Sequence, residues 1–253
     1  MFKQDRQNAI VALLNKSKSG TLSTVDIASK LEVAPMTIRR DLTEMERNKQ
    51  VTRIYGGASV YIEKSTDEKK ILQKEAKSEI GREVAKLVRP QMTVYLGAGT
   101  TIFASLDFLP TSSDIQYVTN SDIAFHHLAQ KDANVVLTGG TYHRTTNEFV
   151  GLIAQQALNN FVFDLAFVST NGIWKDGATT SNIAEGTVQK VAIDRSTKTY
   201  VVADHTKFDQ ADRFSFLQLD KTNSLITDSG ISKRDYQHFK TRTNLIVGKK
   251  AEL

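Results

Sequence analysis

From Met92 to Val247 the chain alternates short apolar runs with stretches of helical period, and this alternation limits the folds open to it. The apolar runs are Thr93–Leu96, Ile115–Val118, Val135–Leu137, Leu165–Val168, Tyr200–Ala203, Ser224–Ile226 and Leu245–Val247. Helix candidates lie between them at Thr100–Leu109, Ser121–Ala129, Leu152–Phe161, Glu185–Asp194 and Lys233–Phe239. Strands bounded by helices imply an α/β domain with a mostly parallel sheet covered on both faces. In such sheets ligands bind at the carboxyl ends of strands, so the loops that leave those ends carry the search for a site.

The first of these loops is Gly97-Ala98-Gly99-Thr100-Thr101, which follows a strand and opens a helix. Two glycines let the backbone turn so that N–H groups and two Thr hydroxyls face an anion. It is not a Walker A loop, because no Gly-Lys-Ser/Thr follows. Nor is it a dinucleotide fingerprint, because Ile102 stands where a third glycine belongs. The loop by itself fits a phosphate cradle and a plain tight turn equally. Further polar loops are Thr119-Asn120-Ser121, Gly139-Gly140, Thr170-Asn171-Gly172 and Asp204-His205-Thr206-Lys207-Phe208. Lys207 suits a phosphate or is a surface lysine. Glu185, at a helix start, suits sugar hydroxyls or complements the helix dipole. The five histidines, at 126, 127, 143, 205 and 238, show no metal-ligand spacing, so no metal is expected.

The N-terminal quarter differs in charge. Residues 1–57 hold ten Lys and Arg against six Asp and Glu, a net +4 of the whole chain's +5. That suits a small polyanion-binding module, although a solvated basic surface fits the charge equally well. Residues 3–18 read as a helix. Thr24–Leu31 reads as a second, with Ser23 as its N-cap, and Pro35 opens a third. Two short helices joined by a tight turn form a helix-turn-helix, at about 20–39. At about 100° per residue, Ile38, Leu42 and Met45 share one face of the third helix. Met36, Arg39, Arg40, Thr43 and Arg47 share the other. Arg suits both guanine edges and phosphates, so this face, with Thr37 at the helix start, is the candidate DNA-reading surface. Gln50–Tyr61 alternates around Tyr55-Gly56-Gly57 and reads as a two-stranded wing carrying basic Arg53.

Residues 63–89 read as one connecting helix, with a capping box at Ser65-Thr66-Asp67-Glu68 and a stripe of Leu72, Ala76, Ile80, Val84 and Leu87. The expected domains are therefore a winged helix-turn-helix at 3–58 and an effector domain at 75–250, joined through 63–89.

The string Ala34-Pro35-Met36-Thr37-Ile38-Arg39-Arg40-Asp41-Leu42, followed by Arg53-Ile54-Tyr55-Gly56-Gly57-Ala58, resembles the DeoR family of bacterial regulators. The family signature is a T-[IV]-R-R-D-L helix followed by a wing ending in G-G-A. The family usually has Ser where this chain has Ala34, and Ala cannot cap the helix. The resemblance extends to the effector module, which is related in fold to ribose-5-phosphate isomerase and CoA-transferase-like proteins. The family's D-S-G-T-T loop matches from Gly99 onward, with Gly97-Ala98 replacing Asp-Ser. T-N-S matches Thr119–Ser121, and D-x-[ST]-K-F matches Asp204–Phe208. Thr170-Asn171-Gly172-Ile173 and Thr179–Asn182 with Glu185-Gly186 resemble the family's lactose phosphotransferase-operon repressors, whose inducer is tagatose 6-phosphate. Fructose-operon repressors, which answer fructose 1-phosphate, are next. The resemblance implies Gly97, Gly99, Thr100, Thr101, Asn120, Ser121, Asn171, Gly172, Glu185, Asp204 and Lys207 as effector-binding residues. It implies no cofactor beyond a phosphorylated sugar, with double-stranded operator DNA as partner and a homo-oligomer, dimer or tetramer, as the working form. A rival reading makes the α/β body an isomerase or deaminase using Glu185, Asp204 and Lys207; a DNA-reading module on that body argues for a sensor. A charged N-terminus and the absence of Cys or a long apolar run predict a cytoplasmic protein with no membrane segment.

Overall fold

The computed structural model describes residues 1–17, 19–60 and 66–250, and the chain divides into two units, Met1–Glu63 and Lys64–Leu253. In the first unit the order is α1 (Lys3–Lys16), β1 (Thr21–Ser23), α2 (Thr24–Leu31), α3 (Pro35–Arg47), β2 (Val51–Ile54) and β3 (Gly57–Val60). Ser23 caps α2 by accepting from the Asp26 N–H at 3.0 Å. Ile38, Leu42 and Met45 are fully buried with Ile10, Leu14, Ile27 and Val51, so the apolar face of α3 is the centre of this core. β3 pairs antiparallel with both β1 and β2. At Gly57 a Cβ would lie 2.2 Å from the Leu22 carbonyl oxygen, so only glycine lets β1 and β3 close here.

One charged residue of α3 faces inward. Asp41 is 3% exposed and takes a two-pronged hydrogen bond from the Arg6 guanidinium on α1, Nη2 to Oδ1 being 3.2 Å. The Asp41 partnership raises the Arg6 pKa above its ordinary value.

The second unit begins with α4 (Thr66–Lys70) and α5 (Lys74–Leu87). The single helix predicted over 63–89 is thus two, and Ser65 of the predicted capping box lies outside the described residues. The break has a physical cause. The Lys77 ammonium donates to the carbonyls of Lys69 and Leu72, both at 2.7 Å, and Gln73 takes a left-handed φ of 54°. A side chain thereby takes carbonyls that the next helical turn would have used.

The order then runs β4 (Thr93–Leu96), α6 (Thr100–Phe103), β5 (Gln116–Thr119), α7 (Asp122–Ala129), β6 (Val135–Leu137), β7 (Thr141–His143), β8 (Glu148–Val150), α8 (Leu152–Asn159), β9 (Phe163–Ser169), β10 (Gly172–Trp174) and β11 (Gly177–Thr180). It finishes with α9 (Ile183–Asp194), β12 (Ser196–Val202), β13 (Phe214–Gln218), β14 (Ser224–Thr227), α10 (Lys233–Phe239) and β15 (Asn244–Val247). The seven predicted strands all enter one parallel sheet in the order β15-β14-β12-β9-β4-β5-β6. Period-two alternation sorts their side chains onto two faces. Val94, Leu96, Leu165, Phe167, Tyr200 and Val202 pack toward α5, α6 and α7. Tyr95, Ala166, Val168, Val201 and Leu225 pack toward α8, α9 and α10.

Two predictions in this unit need correction. The helix expected over Thr100–Leu109 ends as α-helix at Phe103, where the Ser105 hydroxyl takes the Ile102 carbonyl at 2.6 Å. Stretches to which the sequence assigns no strand form the β7–β8 hairpin and the antiparallel sheet β10-β11-β13.

The Arg6–Asp41 pair yields a prediction. Arg6→Met should destabilise the first unit by about 3 kcal/mol, because it leaves a buried carboxylate without its counter-charge. Guanidinium unfolding followed by circular dichroism measures this; a loss under about 1 kcal/mol would make the pair a solvated one.

Candidate functional site

On the first unit, Met36, Arg39, Arg40, Thr43 and Arg47 are exposed along the face of α3 opposite its buried stripe. Thr37 is half-buried at the helix start. Arg53, from β2, turns back to α3: its Nη1 donates to Thr43 Oγ1 at 3.0 Å, and Thr43 donates to the Arg39 carbonyl at 2.8 Å. Thr43 and Arg53 thus brace each other as well as bordering the basic face. Pro35 opens α3, but Ala34 before it supplies no capping hydrogen bond.

On the second unit, the winding of the sheet reverses at β4: later strands add on one side as β5 and β6, and on the other as β9, β12, β14 and β15. The loops that leave β4 and β9 border a narrow polar cavity of about 50 Å³ at this switch point. From β4 come Gly99, Thr100 and Thr101, from β9 Ser169, Thr170 and Asn171, and from the turn after β12 Lys207. Gly99 has φ 127°, and a Cβ there would meet Ser169 Oγ at 2.2 Å, so the loop reaches the cavity only with glycine at this position. Glu185 and Gln189 of α9, both buried, close another wall with Thr180 of β11.

Six predicted effector residues therefore meet at the cavity: Gly99, Thr100, Thr101, Asn171, Glu185 and Lys207. Five stand behind it. Gly97 is buried and donates its N–H to the Phe167 carbonyl at 2.9 Å. Asn120 is fully buried, accepts from the Tyr95 hydroxyl at 2.9 Å and donates to Glu148 Oε2 at 2.9 Å. Ser121 caps α7 through the Ala124 N–H. Gly172 lies in β10, its carbonyl taken by Thr170 and Thr179. Asp204 is buried and accepts from the Thr206 N–H at 3.0 Å.

The sequence reading missed Thr66 and Lys69 of α4, Thr146 and Glu148 of the β7–β8 hairpin, and Gln189. Only the Lys-rich composition of 69–77 hinted at Lys69. Behind α4, Lys77 is 4% exposed, and its pKa is lowered to about 8, mainly by burial. Nearby Asp204 opposes that shift, while Lys207 and Lys69 add to it. Burial, reinforced by the charge of Glu148, pushes the Tyr95 hydroxyl well above its ordinary range, so it stays a neutral donor.

A winged helix-turn-helix joined to an α/β domain with a charged cavity at its switch point defines a ligand-responsive DNA-binding regulator. The DeoR-like helix-turn-helix domain matches residues 6–64 and the DeoR C-terminal sensor domain matches residues 72–229, so the chain belongs to the DeoR family of transcriptional regulators. It is 36% identical over 236 residues to the lactose phosphotransferase system repressor of Streptococcus mutans serotype c, covering 90% of this chain and 93% of that one. The protein of that name from Lactococcus lactis subsp. lactis is 31% identical over 254 residues, covering 97% and 99%. Among solved structures, a D-ribose-5-phosphate isomerase in complex with phospho-erythronic acid is 19% identical, with TM-score 0.40 over 53% of each chain. No helix among the described residues is long and apolar enough to cross a membrane.

The uncapped start of α3 can be tested directly. Ala34→Ser should stabilise the first unit by about 1 kcal/mol by giving the helix its missing side-chain cap. An unchanged denaturation midpoint would mean that the helix start is satisfied by other means.

Proposed function

We propose that this protein represses a sugar-utilisation operon of the lactose phosphotransferase type and leaves its operator when a phosphorylated sugar, tagatose 6-phosphate, binds the second unit. The observation that carries the proposal is the divided chemistry of one cavity. Lys69, Lys207 and the Thr100 and Thr101 hydroxyls line it beside the acceptors Glu148 and Glu185, both 4% exposed. The cations and hydroxyls suit a phosphate, and the carboxylates suit hydroxyl donors. A ligand with an anionic head and a polyol tail meets both demands; an apolar effector meets neither. Gly97, Asn120, Ser121, Gly172 and Asp204 hold the surrounding loops rather than the ligand. The names of the relatives point to the same class of operon.

A small-molecule pocket commonly measures about 300 Å³ or more. At about 50 Å³, the cavity must open to admit a sugar phosphate. Part of its wall is α4, five residues long and tied by the Thr66 N–H to the Thr145 carbonyl at 3.0 Å. α4 is the first element of the second unit, so its displacement is the step we take to carry the signal toward the winged unit. Only a difference in ligand affinity between the DNA-competent and released states can shift their balance. On this reading, Met36, Thr37, Arg39, Arg40, Thr43, Arg47 and Arg53 form the operator surface, and a cytoplasmic homo-oligomer presents two such surfaces to paired half-sites. The α/β body acts as sensor rather than as enzyme.

Gel shifts with the DNA upstream of its own coding sequence, across a panel of phosphorylated ketoses including fructose 1-phosphate, test the proposal. Tagatose 6-phosphate should release the wild type, and Lys207→Ala should need at least about tenfold more, the equivalent of losing one charged contact. Release by no sugar phosphate would overturn the reading; turnover of one by the pure protein would move it to the enzymes. On the DNA side, Arg39→Ala should weaken operator binding and flatten the slope of log affinity against log salt by about one. An unchanged slope would remove Arg39 from the phosphate contacts.

A further inference from the structure

Three side chains from separate elements converge at the carboxylate side of the cavity. His143 ends β7, Glu148 opens β8 and Glu185 lies in the first turn of α9; one donor atom of each falls within 4.8 Å of the others. His143 Nδ1 is 3.0 Å from Glu185 Oε1 and 2.9 Å from Thr146 Oγ1, so the imidazole is held against that carboxylate. Each carboxylate is steered by a neutral donor. Asn120 Nδ2, itself fixed by Tyr95, donates to Glu148 Oε2, and Thr180 Oγ1 donates to Glu185 Oε2, both at 2.9 Å. Hydrogen bonds of this kind orient carboxylates around metals. A separate observation concerns the same cavity. Gln189, one turn beyond Glu185 on α9, lines the same cavity and is 6% exposed, and its Oε1 has no hydrogen-bond partner. A buried acceptor left so is costly, and a water on a bound ion would satisfy it.

We infer that His143, Glu148 and Glu185 bind a divalent transition-metal ion, Mn²⁺ or Zn²⁺, with Gln189 Oε1 accepting from a water on that ion. The mixed imidazole and carboxylate set suits these ions; Ca²⁺ and Mg²⁺ favour all-oxygen sites, and no thiolate is present to favour softer ions. No histidine–glutamate spacing announces the site in sequence, because its ligands come from three elements. The ion would take the carboxylates that the proposed function gives to sugar hydroxyls and so would stand between them and the sugar; titrating the ion alone keeps the two tests distinguishable.

The test is calorimetric titration of chelator-stripped full-length protein with MnCl₂ and with ZnCl₂, with no sugar phosphate present. One ion per chain is expected. His143→Ala, Glu148→Gln and Glu185→Gln should each weaken binding at least tenfold. Thr180→Val, which removes only a steering hydrogen bond, should weaken it by about tenfold. Asp176→Asn, which removes a carboxylate paired with His238 away from this cavity, should leave affinity and stoichiometry unchanged. Circular dichroism melting checks that each variant is folded. Absence of binding to the wild type up to about 1 mM of either ion, the weak end of specific affinity, would overturn the inference. So would equal affinity in wild type and all three ligand variants.

Discussion

The reversal of sheet winding at β4 is the constraint on which the rest of the second unit depends. In a parallel sheet each strand is followed by a crossover, and neighbouring crossovers normally lie on the same face. Between β4 and β9 the loops part to opposite faces, leaving a gap at the carboxyl edge. Gly99–Thr101 and Ser169–Asn171 are the two sides of that gap. Lys207 reaches it from β12, the next strand along. The gap keeps its shape because the strands beneath are packed on both faces: Tyr95, Leu96, Phe167 and Val168 are fully buried directly below the loops. The excursions β7–β8 and β10–β11 then bring Thr146, Glu148 and Thr180 over it.

Electrostatics explain why so polar a region tolerates burial. An unpaired buried charge is costly, so each must find hydrogen bonds or opposite charge. Glu148 accepts from Asn120, Glu185 from Thr180, and Lys77 spends its ammonium on two carbonyls at the broken helix. The depressed pKa of Lys77 shows that this arrangement still disfavours its charge. Burial and its lysine neighbours outweigh the attraction of Asp204. Negative charge brought beside Lys69 and Lys207 would offset their part of that shift, while burial, its largest cause, would remain.

The seven strands of the parallel sheet were legible because short apolar runs between helical stretches admit few other arrangements. The inward stripe of α3 was legible for the same kind of reason, since Ile38, Leu42 and Met45 repeat at helical spacing. Glu148 was not: its strand is three residues long and shows no period, and its burial comes from Asn120 and the hairpin. Lys69 was hidden in a charged run that reads as a solvated helix, because the break that turns α4 into a cavity wall depends on where Lys77 folds back. Asn120 and Asp204, expected at the ligand, do not line the cavity. A polar residue at a strand end is equally suited to touching a ligand or to fastening the loop that does, and these two fasten.

The first unit shows how net charge misleads when its partners are unknown. Of the basic residues counted there, Arg6 is spent on Asp41, Lys3 pairs with Glu44, and Arg53 leans on Thr43. Asp41, within the Arg-Arg-Asp-Leu string, serves the core, whereas its neighbours Arg39 and Arg40 face solvent. Arg39, Arg40 and Arg47 lie exposed together on one face of α3. Each phosphate contact contributes a salt-dependent increment to affinity, and a face with three arginines supplies few of them. Two copies on one operator add their contacts and the spacing between them, which a single winged unit lacks.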